Sequence, residues 1–178
     1  MKTITISTQE EYDALDKFEK KTKIQITGKL NSIYKTPENG DIYIGGHTKV
    51  DWIGGSAKIY SIENFAKVNH IKNSARVDYI GEYAKVNSIG GSAEVIWIEG
   101  YAEIDFIGGS AKVNHIGGFA KVKLIKGSAN IYYIGDSTEI DSIGGFTKID
   151  YIGGFAKVNH IKSSVKVDFI GEHVSGLN

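Results

Sequence analysis

Three histidines recur at intervals of 45 residues, His70, His115 and His160, each in a Val-Asn-His-Ile context. Imidazoles can hold a transition metal or move protons, but only where they converge with one another or with carboxylates. An interval of 45 residues is an odd number of nine-residue units, so successive histidines would face opposite sides of a coil built from two units. We therefore interpret them as products of repetition and predict neither a metal nor a cofactor.

The other residues that could do chemistry are dispersed in the same way. Ser, His and Asp occur throughout the chain without the spacing of a nucleophile motif. Parallel β-helix lyases act through clustered Asp, Arg and Lys, whereas Arg76 is the one arginine of this chain. The unit also differs from the calcium-binding β-roll repeat, because Ala and Val stand where the third Gly and the Asp ligand belong. The sequence predicts a protein that is not an enzyme.

One short repeat must position these residues. Isoleucines stand nine residues apart from Ile44 to Ile170, each opening a variant of Ile-Gly-Gly-(Ser/Phe/Tyr)-Ala-Lys-Val-(Asn/Asp)-x, which we number from the Ile as position 1. Ala at position 5 and Val or Ile at position 7 share one face of a strand, and positions 6 and 8 are polar. Glycines at positions 2 and 3 are expected to allow the backbone to turn. The pattern predicts an all-β, parallel β-solenoid (β-helix) of fifteen nine-residue repeats over residues 44–178.

The number of units in each coil is less clearly marked. Position 4 alternates between Ser and an aromatic residue from Ser56 to Ser128, which favours two units and an eighteen-residue coil. Residues 65–83 also closely match residues 155–173, at an offset divisible by eighteen. Position 9 instead tends to be aromatic in every third unit, as at Trp52 and Tyr79, which suits a coil of twenty-seven residues. Eighteen is the expectation, with twenty-seven as the alternative.

Residues 1–43 precede the regular repeat and are predicted to form an N-terminal cap of strand, helix, strand and loop. Thr3–Ile6 alternate as in a strand, and Ser7 precedes Glu10 by three residues, which is the spacing of a capping box. The predicted helix ends at Lys20 and Lys21, where cations suit its dipole. A second strand, a degenerate first repeat and a loop follow at 23–26, 30–33 and 37–40. Such a cap would cover the open end of the first coil.

The composition limits the partners. Lys plus Arg equals Asp plus Glu, 21 against 21, which argues against a broad basic surface for nucleic acid and against an acidic DNA mimic. Cysteine is absent, and neither a signal peptide nor a membrane-spanning stretch is evident. We expect a cytoplasmic protein, in the host-cell cytoplasm if the gene is viral, that binds neither nucleic acid nor membrane.

Hydrophobic residues replace the polar residue of position 8 in three units, at Tyr60, Ile96 and Tyr132. They are 36 residues apart, which is two coils of eighteen residues, and would therefore lie on one side of the rod about 9.6 Å apart. Trp97 and Tyr133 adjoin two of them. Exposed residues of this kind anchor protein partners, so we predict a protein-binding stripe. The alternative is that they are cross-strand pairs that stiffen the sheet.

Acidic residues interrupt the usual lysines beside this stripe, at Glu94, Glu99, Glu103 and Asp105. A cluster of that sign could steer a basic partner. An ordinary solvated face with alternating charge explains the same residues equally well.

The last coil lacks a closing helix in this sequence. Its apolar residues are predicted to form the edge of a two-fold, end-to-end homodimer, because unpaired strand edges readily pair with their own kind. These residues are Ile161, Val165, Val167, Ile170 and Val174.

The Ile-x-x-Ser-Ala-Lys-Val-Asn-x units over residues 44–174 resemble nonapeptide tandem-repeat β-solenoid proteins of low-GC bacteria and their phages. The resemblance implies the fold and leaves the activity almost open. Phages use small β-rich proteins to block host defence nucleases, so it favours a phage-encoded, anti-CRISPR-like inhibitor that sterically occludes a bacterial defence complex. The alternatives are a structural or self-assembling rod, such as a phage tail or surface module, and, more weakly, a carbohydrate-binding or lyase-type β-helix.

Overall fold

The computed structural model describes residues 1–176, and within them the chain winds into a parallel β-solenoid of stacked coils. Each regular coil contributes one strand to sheet A and one to sheet B. Sheet A contains β1 (Lys2–Ile6), β2 (Lys17–Ile26), β4 (Glu38–Ile44), β6 (Lys58–Ile62), β8 (Arg76–Ile80), β10 (Glu94–Ile98), β12 (Lys112–Ile116), β14 (Asn130–Ile134), β16 (Lys148–Ile152) and β18 (Lys166–Ile170). Sheet B contains β3 (Lys29–Ile33), β5 (Lys49–Ile53), β7 (Lys67–Ile71), β9 (Lys85–Ile89), β11 (Glu103–Ile107), β13 (Lys121–Ile125), β15 (Glu139–Ile143), β17 (Lys157–Ile161) and β19 (Ser175–Gly176).

The strand register confirms the eighteen-residue coil. Val95 of β10 lies beside Val113 of β12, and Ile98 lies beside Ile116, so neighbours within a sheet are two nine-residue units apart. Isoleucine at position 1, Ala at 5 and Val or Ile at 7 all face the core, and in one coil Ile80, Ala84 and Val86 are fully buried. Each fully buried Ile or Val stabilises the fold by roughly 1.5–3 kcal/mol. The solenoid is held by these ladders.

Two kinds of turn join the sheets. An A-to-B turn, such as residues 81–84, leads from sheet A to sheet B, and a B-to-A turn, such as residues 90–93, leads back. Position 3 of the repeat takes the left-handed backbone in these turns, with φ of 64° at Gly100 and 63° at Gly118. Glycine at position 2 does not take a positive φ in the described chain, so the expectation that both glycines serve the turn is wrong for position 2.

Residues 1–43 contribute strands to both sheets. β1 pairs with β2, β2 with β4, and β3 with β5, so the sheets continue to the N-terminal end of the rod. The boundary between Tyr43 and Ile44 lies inside β4, next to a register shift between β4 and β6. That residues 1–43 act as a separate cap remains a prediction.

The one helix of the described chain, α1 (Gln9–Asp13), is shorter than predicted. Its capping box is formed by Thr8 and Glu11, one residue later than the predicted pair of Ser7 and Glu10. Lys20 and Lys21 lie in β2 and do not end the helix. Helix α1 is anchored by Gln9, whose side chain forms hydrogen bonds with the backbone of β3.

Tyr12 of α1 is buried and donates a hydrogen bond to the Lys35 carbonyl. The predicted loop is also shorter, since Asn39 and Gly40 belong to β4. Within residues 1–176 no helix has the length and apolar character needed to cross a bilayer.

Candidate binding surface

The structure places the three position-8 residues on the outer face of sheet A. Tyr60 lies on β6, Ile96 on β10 and Tyr132 on β14, so one strand of sheet A separates each from the next. The intervening strands carry polar residues at this position, Asp78 on β8 and Asn114 on β12. The three residues share a face as the coil length predicts, but polar residues separate them along it.

Tyr60 stands apart from the other two in its surroundings. Its ring lies 4.7 Å from that of Tyr43, centroid to centroid, and it is 49% exposed. It also lines a cleft of about 590 Å³, together with residues 35–41, Lys58 and Arg76. Arg76 is held by Asp78, with 3.1 Å between Nε and Oδ1.

Position 9 forms a continuous row on sheet A, immediately beside position 8. Trp97 and His115 have ring centroids 4.5 Å apart, as do His115 and Tyr133, and the spacing from Tyr133 to Tyr151 is 5.3 Å. Phe169 continues the row at 5.0 Å from Tyr151. This row, which we name the sheet row, brings Trp97 and Tyr133 into one stack around His115.

Trp97 and Tyr133 differ in how they pack. The Tyr133 ring lies directly over Gly135, where a Cβ would overlap the ring, and the side chain is half-buried. The same cover explains other position-2 glycines, including Gly81 under Tyr79 and Gly153 under Tyr151. Trp97 is followed by Glu99 at position 2, so its indole has no glycine to cover, and it is 43% exposed. Tyr133 therefore contributes mainly to packing, and Trp97 is available to a partner.

Partial burial affects the tyrosine hydroxyls at position 9 of sheet A. Burial raises the pKa of the Tyr133 hydroxyl, and the charge of Asp136 raises it further. Burial also raises the pKa of Tyr79, with the charge of Glu99 as the next cause. Because both shifts favour the neutral phenol, these hydroxyls remain hydrogen-bond donors at neutral pH.

A second aromatic row, which was not predicted as a site, runs along the A-to-B turns at position 4. Its rings stack nearly parallel, with centroid spacings of 5.2–5.3 Å and interplanar angles of 6–11°. From Phe65 to Phe119, about half of each Phe and Tyr side chain is exposed. We name this row the turn ladder; its residues are His47, Phe65, Tyr83, Tyr101 and Phe119, followed after a gap by Phe155 and His173.

The signal for the turn ladder is present in the sequence. The alternation of Ser with aromatic residues at position 4 indicates the coil length and also which edge of the rod each residue occupies. On an eighteen-residue coil it sorts the aromatic residues onto the A-to-B turns and serines such as Ser92, Ser110 and Ser128 onto the B-to-A turns. The B-to-A edge is mainly a serine edge, interrupted by the exposed Phe146. The rod has one aromatic edge and one polar edge.

The four predicted acidic residues do not form one patch. Glu94 lies on sheet A, Glu99 on an A-to-B turn, and Glu103 and Asp105 on sheet B. Most are paired with cations of neighbouring coils: Glu103 with Lys85 at 2.6 Å and Asp105 with Lys123 at 2.6 Å. Glu94 lies 3.5 Å from Lys112 and 3.9 Å from Arg76. Their part in steering a partner stays a prediction, now divided between two faces.

The recurring histidines fall on different sheets. His70 lies on β7 and His160 on β17, both in sheet B, whereas His115 lies on β12 in sheet A. His115 Nε2 is 4.0 Å from a Glu99 carboxylate oxygen. Within residues 1–176 no group of three or more His, Cys, Asp or Glu side chains is arranged to hold a metal ion.

The last coil exposes part of the core. Ile161, Val165, Val167 and Val174 pack against the core but are only partly buried, and Ile170 is 42% exposed. Within the described residues, β18 pairs only with β16, and β19 pairs only with β17. The predicted dimer edge is thus an accessible, apolar strand edge, and its use in a dimer remains a prediction.

No protein-family model, no curated protein and no solved structure matches this chain.

Proposed function

We propose that this protein is a non-enzymatic, rigid rod that binds a protein partner through its aromatic edge and occludes the partner's working surface. The observation that carries the proposal is the concentration of exposed aromatic side chains on the turn ladder and the adjoining part of sheet A. The opposite edge carries mainly serines. Soluble proteins rarely expose a long contiguous apolar strip unless something binds it.

The geometry of the turn ladder favours a protein over a saccharide or a nucleobase. Sugars and bases stack on the faces of aromatic rings. Inside the ladder each ring face is already covered by a neighbour 5.2–5.3 Å away, so the rings offer their edges to solvent. Ring edges with Tyr hydroxyls, as at Tyr83 and Tyr101, suit the apolar and hydrogen-bonding contacts of a protein interface.

Rigidity supports occlusion as the mode of action. From His47 to Phe119 the ladder rises four coils, about 19 Å at ~4.8 Å per coil. Because the core ladders fix the backbone, little conformational entropy is lost when this edge binds. Trp97 and Tyr132 extend the exposed aromatic surface from the turn ladder onto sheet A. This brings the available area closer to the ~800 Å² per partner that a stable interface buries. A stiff edge of this shape can fill a groove on a partner without changing conformation.

The narrower form of the proposal is a phage-encoded, anti-CRISPR-like inhibitor of a bacterial defence complex, acting in the host-cell cytoplasm. It is supported by the resemblance of the repeats to solenoids of low-GC bacteria and phages. The equal numbers of acidic and basic residues, and the ion pairs that neutralise Glu94, Glu103 and Asp105, favour apolar contact over imitation of DNA.

A second candidate, a self-assembling rod, is favoured by one observation. The last described coil presents Ile170, Val167 and Val174 at an unpaired strand edge. Pairing of this edge with a second copy would form an end-to-end homodimer that leaves the turn ladder free. The dimer is therefore compatible with partner binding and need not replace it.

Affinity capture from bacterial lysate, followed by mass spectrometry, tests the proposal. The baits are the wild type, Trp97→Ala/Tyr132→Ala on the aromatic side, and Ser92→Arg/Ser128→Arg on the serine edge as a matched control. We expect one heterologous partner to be retained by the wild type and the control and lost by the aromatic variant. Recovery of the bait alone would favour the self-assembling rod. Release of the captured material from the wild-type bait by an added oligosaccharide would favour the carbohydrate alternative.

A further inference from the structure

The turn ladder is interrupted at one coil, where Ser137 stands between Phe119 and Phe155. On the N-terminal side five rings follow one another without a break, and on the C-terminal side Phe155 stacks with His173 at 5.4 Å. Ser137 has no ring to offer, so the facing sides of Phe119 and Phe155 lack a stacking partner from the ladder. Phe155 is 69% exposed and Phe119 53% exposed, against 50% for Tyr83 and Tyr101 inside the unbroken run.

Only the side chain is missing, because the backbone of the ladder continues through this coil. The amide of Phe119 donates to the Gly100 carbonyl at 2.8 Å, and that of Ser137 donates to Gly118 at 2.9 Å. The amide of Phe155 donates to the Asp136 carbonyl at 2.6 Å. The gap is therefore an open slot with a rigid floor and two aromatic walls.

The slot has the width of one planar group. Two coil steps of ~4.8 Å separate Phe119 from Phe155, so their rings lie roughly 10 Å apart. Rings elsewhere in the ladder stack at 5.2–5.3 Å. A planar group midway between the two phenylalanines would therefore restore the ladder spacing on both sides.

The charges around the slot indicate which planar group fits it. Asp136 precedes Ser137 on the turn, and Glu139 follows it at the start of β15, and both are exposed. The neighbouring coils carry Gly118 and Lys121, and Gly154 and Lys157, at the same positions. Glu139 forms an ion pair with Lys121, with 3.3 Å between Oε2 and Nζ. The Asp136 carboxylate accepts from the Gly118 amide at 2.8 Å and makes no ion pair within residues 1–176.

We propose that this slot, Phe119–Ser137–Phe155, receives an arginine side chain of the protein partner, and the proposal rests on the proposed function. The guanidinium is planar, stacks on aromatic faces and is permanently charged, so it satisfies the two walls and Asp136 together. A neutral aromatic side chain would stack but leave the charge of Asp136 without a partner. A lysine ammonium would meet Asp136 but could not fill the slot between the rings.

Titration with a capped Gly-Arg-Gly peptide, followed by NMR, tests the slot directly. We expect saturable shifts confined to the Ser137 amide and the Phe119 and Phe155 rings. Replacing Arg by citrulline or Lys in the peptide should weaken binding by roughly tenfold, and Asp136→Asn should act similarly on the Arg peptide. Shifts of equal size with all three peptides, or stronger binding of a Gly-Trp-Gly peptide, would overturn the proposal.

Variants at position 137 separate the slot from the fold. Ser137→Phe fills the gap with a ring of the protein's own and should abolish the peptide shifts, whereas Ser137→Ala keeps the gap and should leave them unchanged. If Ser137→Phe does not fold, the single substitution Phe155→Ala serves instead. It removes one wall of the slot and should weaken binding of the Arg peptide. Peptide binding that survives both a folded Ser137→Phe and Phe155→Ala would contradict the inference.

The slot and the proposed function can fail independently. A captured partner that is lost by Trp97→Ala/Tyr132→Ala but retained by Ser137→Phe would overturn the arginine slot and leave the protein-binding function standing. If no partner is captured while the Arg peptide binds selectively, the slot stands and the wider function fails.

Discussion

The position-2 glycines give the sharpest test of how the aromatic rows are built. A Cβ added at Gly135 would overlap two ring carbons and the hydroxyl oxygen of Tyr133. That ring cannot slide aside, because His115 and Tyr151 stack on either side at 4.5 and 5.3 Å. At Gly90 the residue two before is Ser88, and the nearest atom to an added Cβ is 3.8 Å away. Neither glycine has a positive φ, and although Gly135 lies in an A-to-B turn and Gly90 in a B-to-A turn, it is the covering ring that makes the space for a Cβ different.

The expected magnitudes follow from this geometry. Gly135→Ala must displace Tyr133 from two aromatic pairs, each worth about 0.5–1.5 kcal/mol. The stiffer unfolded chain offsets this by about 0.4–1 kcal/mol, leaving a net destabilisation of about 1–2 kcal/mol. Gly90→Ala displaces no ring and only reduces the conformational entropy of the unfolded chain, so it should stabilise the protein by about 0.4–1 kcal/mol.

Urea unfolding followed by far-UV circular dichroism compares the two variants on the same chain. We expect Gly135→Ala to unfold at lower urea and Gly90→Ala at slightly higher urea than the wild type. Gly135→Ala/Tyr133→Ala is the matched control, since removing the ring removes the clash and the two changes should not add. Equal midpoints for Gly135→Ala and Gly90→Ala would refute the idea that the rings, and not the turns, require glycine at position 2.

The remaining predictions concern the cap, the exposed indole and the chain end. Hydrogen bonds from the Ser7 amide, the Ser7 hydroxyl and the Thr8 amide lower the pKa of Glu11, so its contribution is present above the unfolded pKa near 4.5 and is lost as pH falls through the folded pKa. The protection factors of the α1 amides, which are their exchange rates corrected for the intrinsic pH dependence of amide exchange, should therefore fall in acid. A Glu11→Gln variant that shows the same acid dependence would contradict this. Trp97→Ala should lower the free energy of unfolding by at most about 1 kcal/mol, whereas Ile98→Ala in the core should lower it by about 2–5 kcal/mol, both measured by urea unfolding. Losses of similar size would show that Trp97 is part of the packing. Ile170→Asp should convert the proposed homodimer to a monomer in sedimentation equilibrium, and Phe146→Ser should not. A wild type that stays monomeric at high concentration would rule out the dimer.

The architecture was predictable because a single period controls it. Isoleucine at every ninth residue leaves one way to bury the Ile, Ala and Val ladders, and the alternation at position 4 correctly indicates two units per coil. The division of the acidic residues was also within reach. Glu94 and Glu103 are nine residues apart, half of an eighteen-residue coil, so the coil length alone places them on opposite sheets.

Other features depend on three-dimensional contacts that periodicity does not encode. Helix α1 stops at Asp13, and the chain from Lys17 forms β2, whose pairing with β1 and β4 outweighs the helical pattern of Leu15 and Phe18. The difference between Trp97 and Tyr133 depends on the residue at position 2 of the next unit, which is Glu99 after Trp97 and Gly135 after Tyr133. The slot at Ser137 depends on the stacking of Phe119 on Tyr101 and of Phe155 on His173, which leaves one coil without a ring between them.

The most direct test of the central claim is the affinity of the captured partner for the two edges of the rod, measured by titration calorimetry. We expect Trp97→Ala/Tyr101→Ala to weaken binding by at least about thirtyfold, as for a hot spot of about 2 kcal/mol, while Ser92→Arg/Ser128→Arg binds like the wild type. The opposite pattern, in which the serine-edge variant loses binding and the aromatic variant retains it, would contradict the assignment of the aromatic edge as the binding surface.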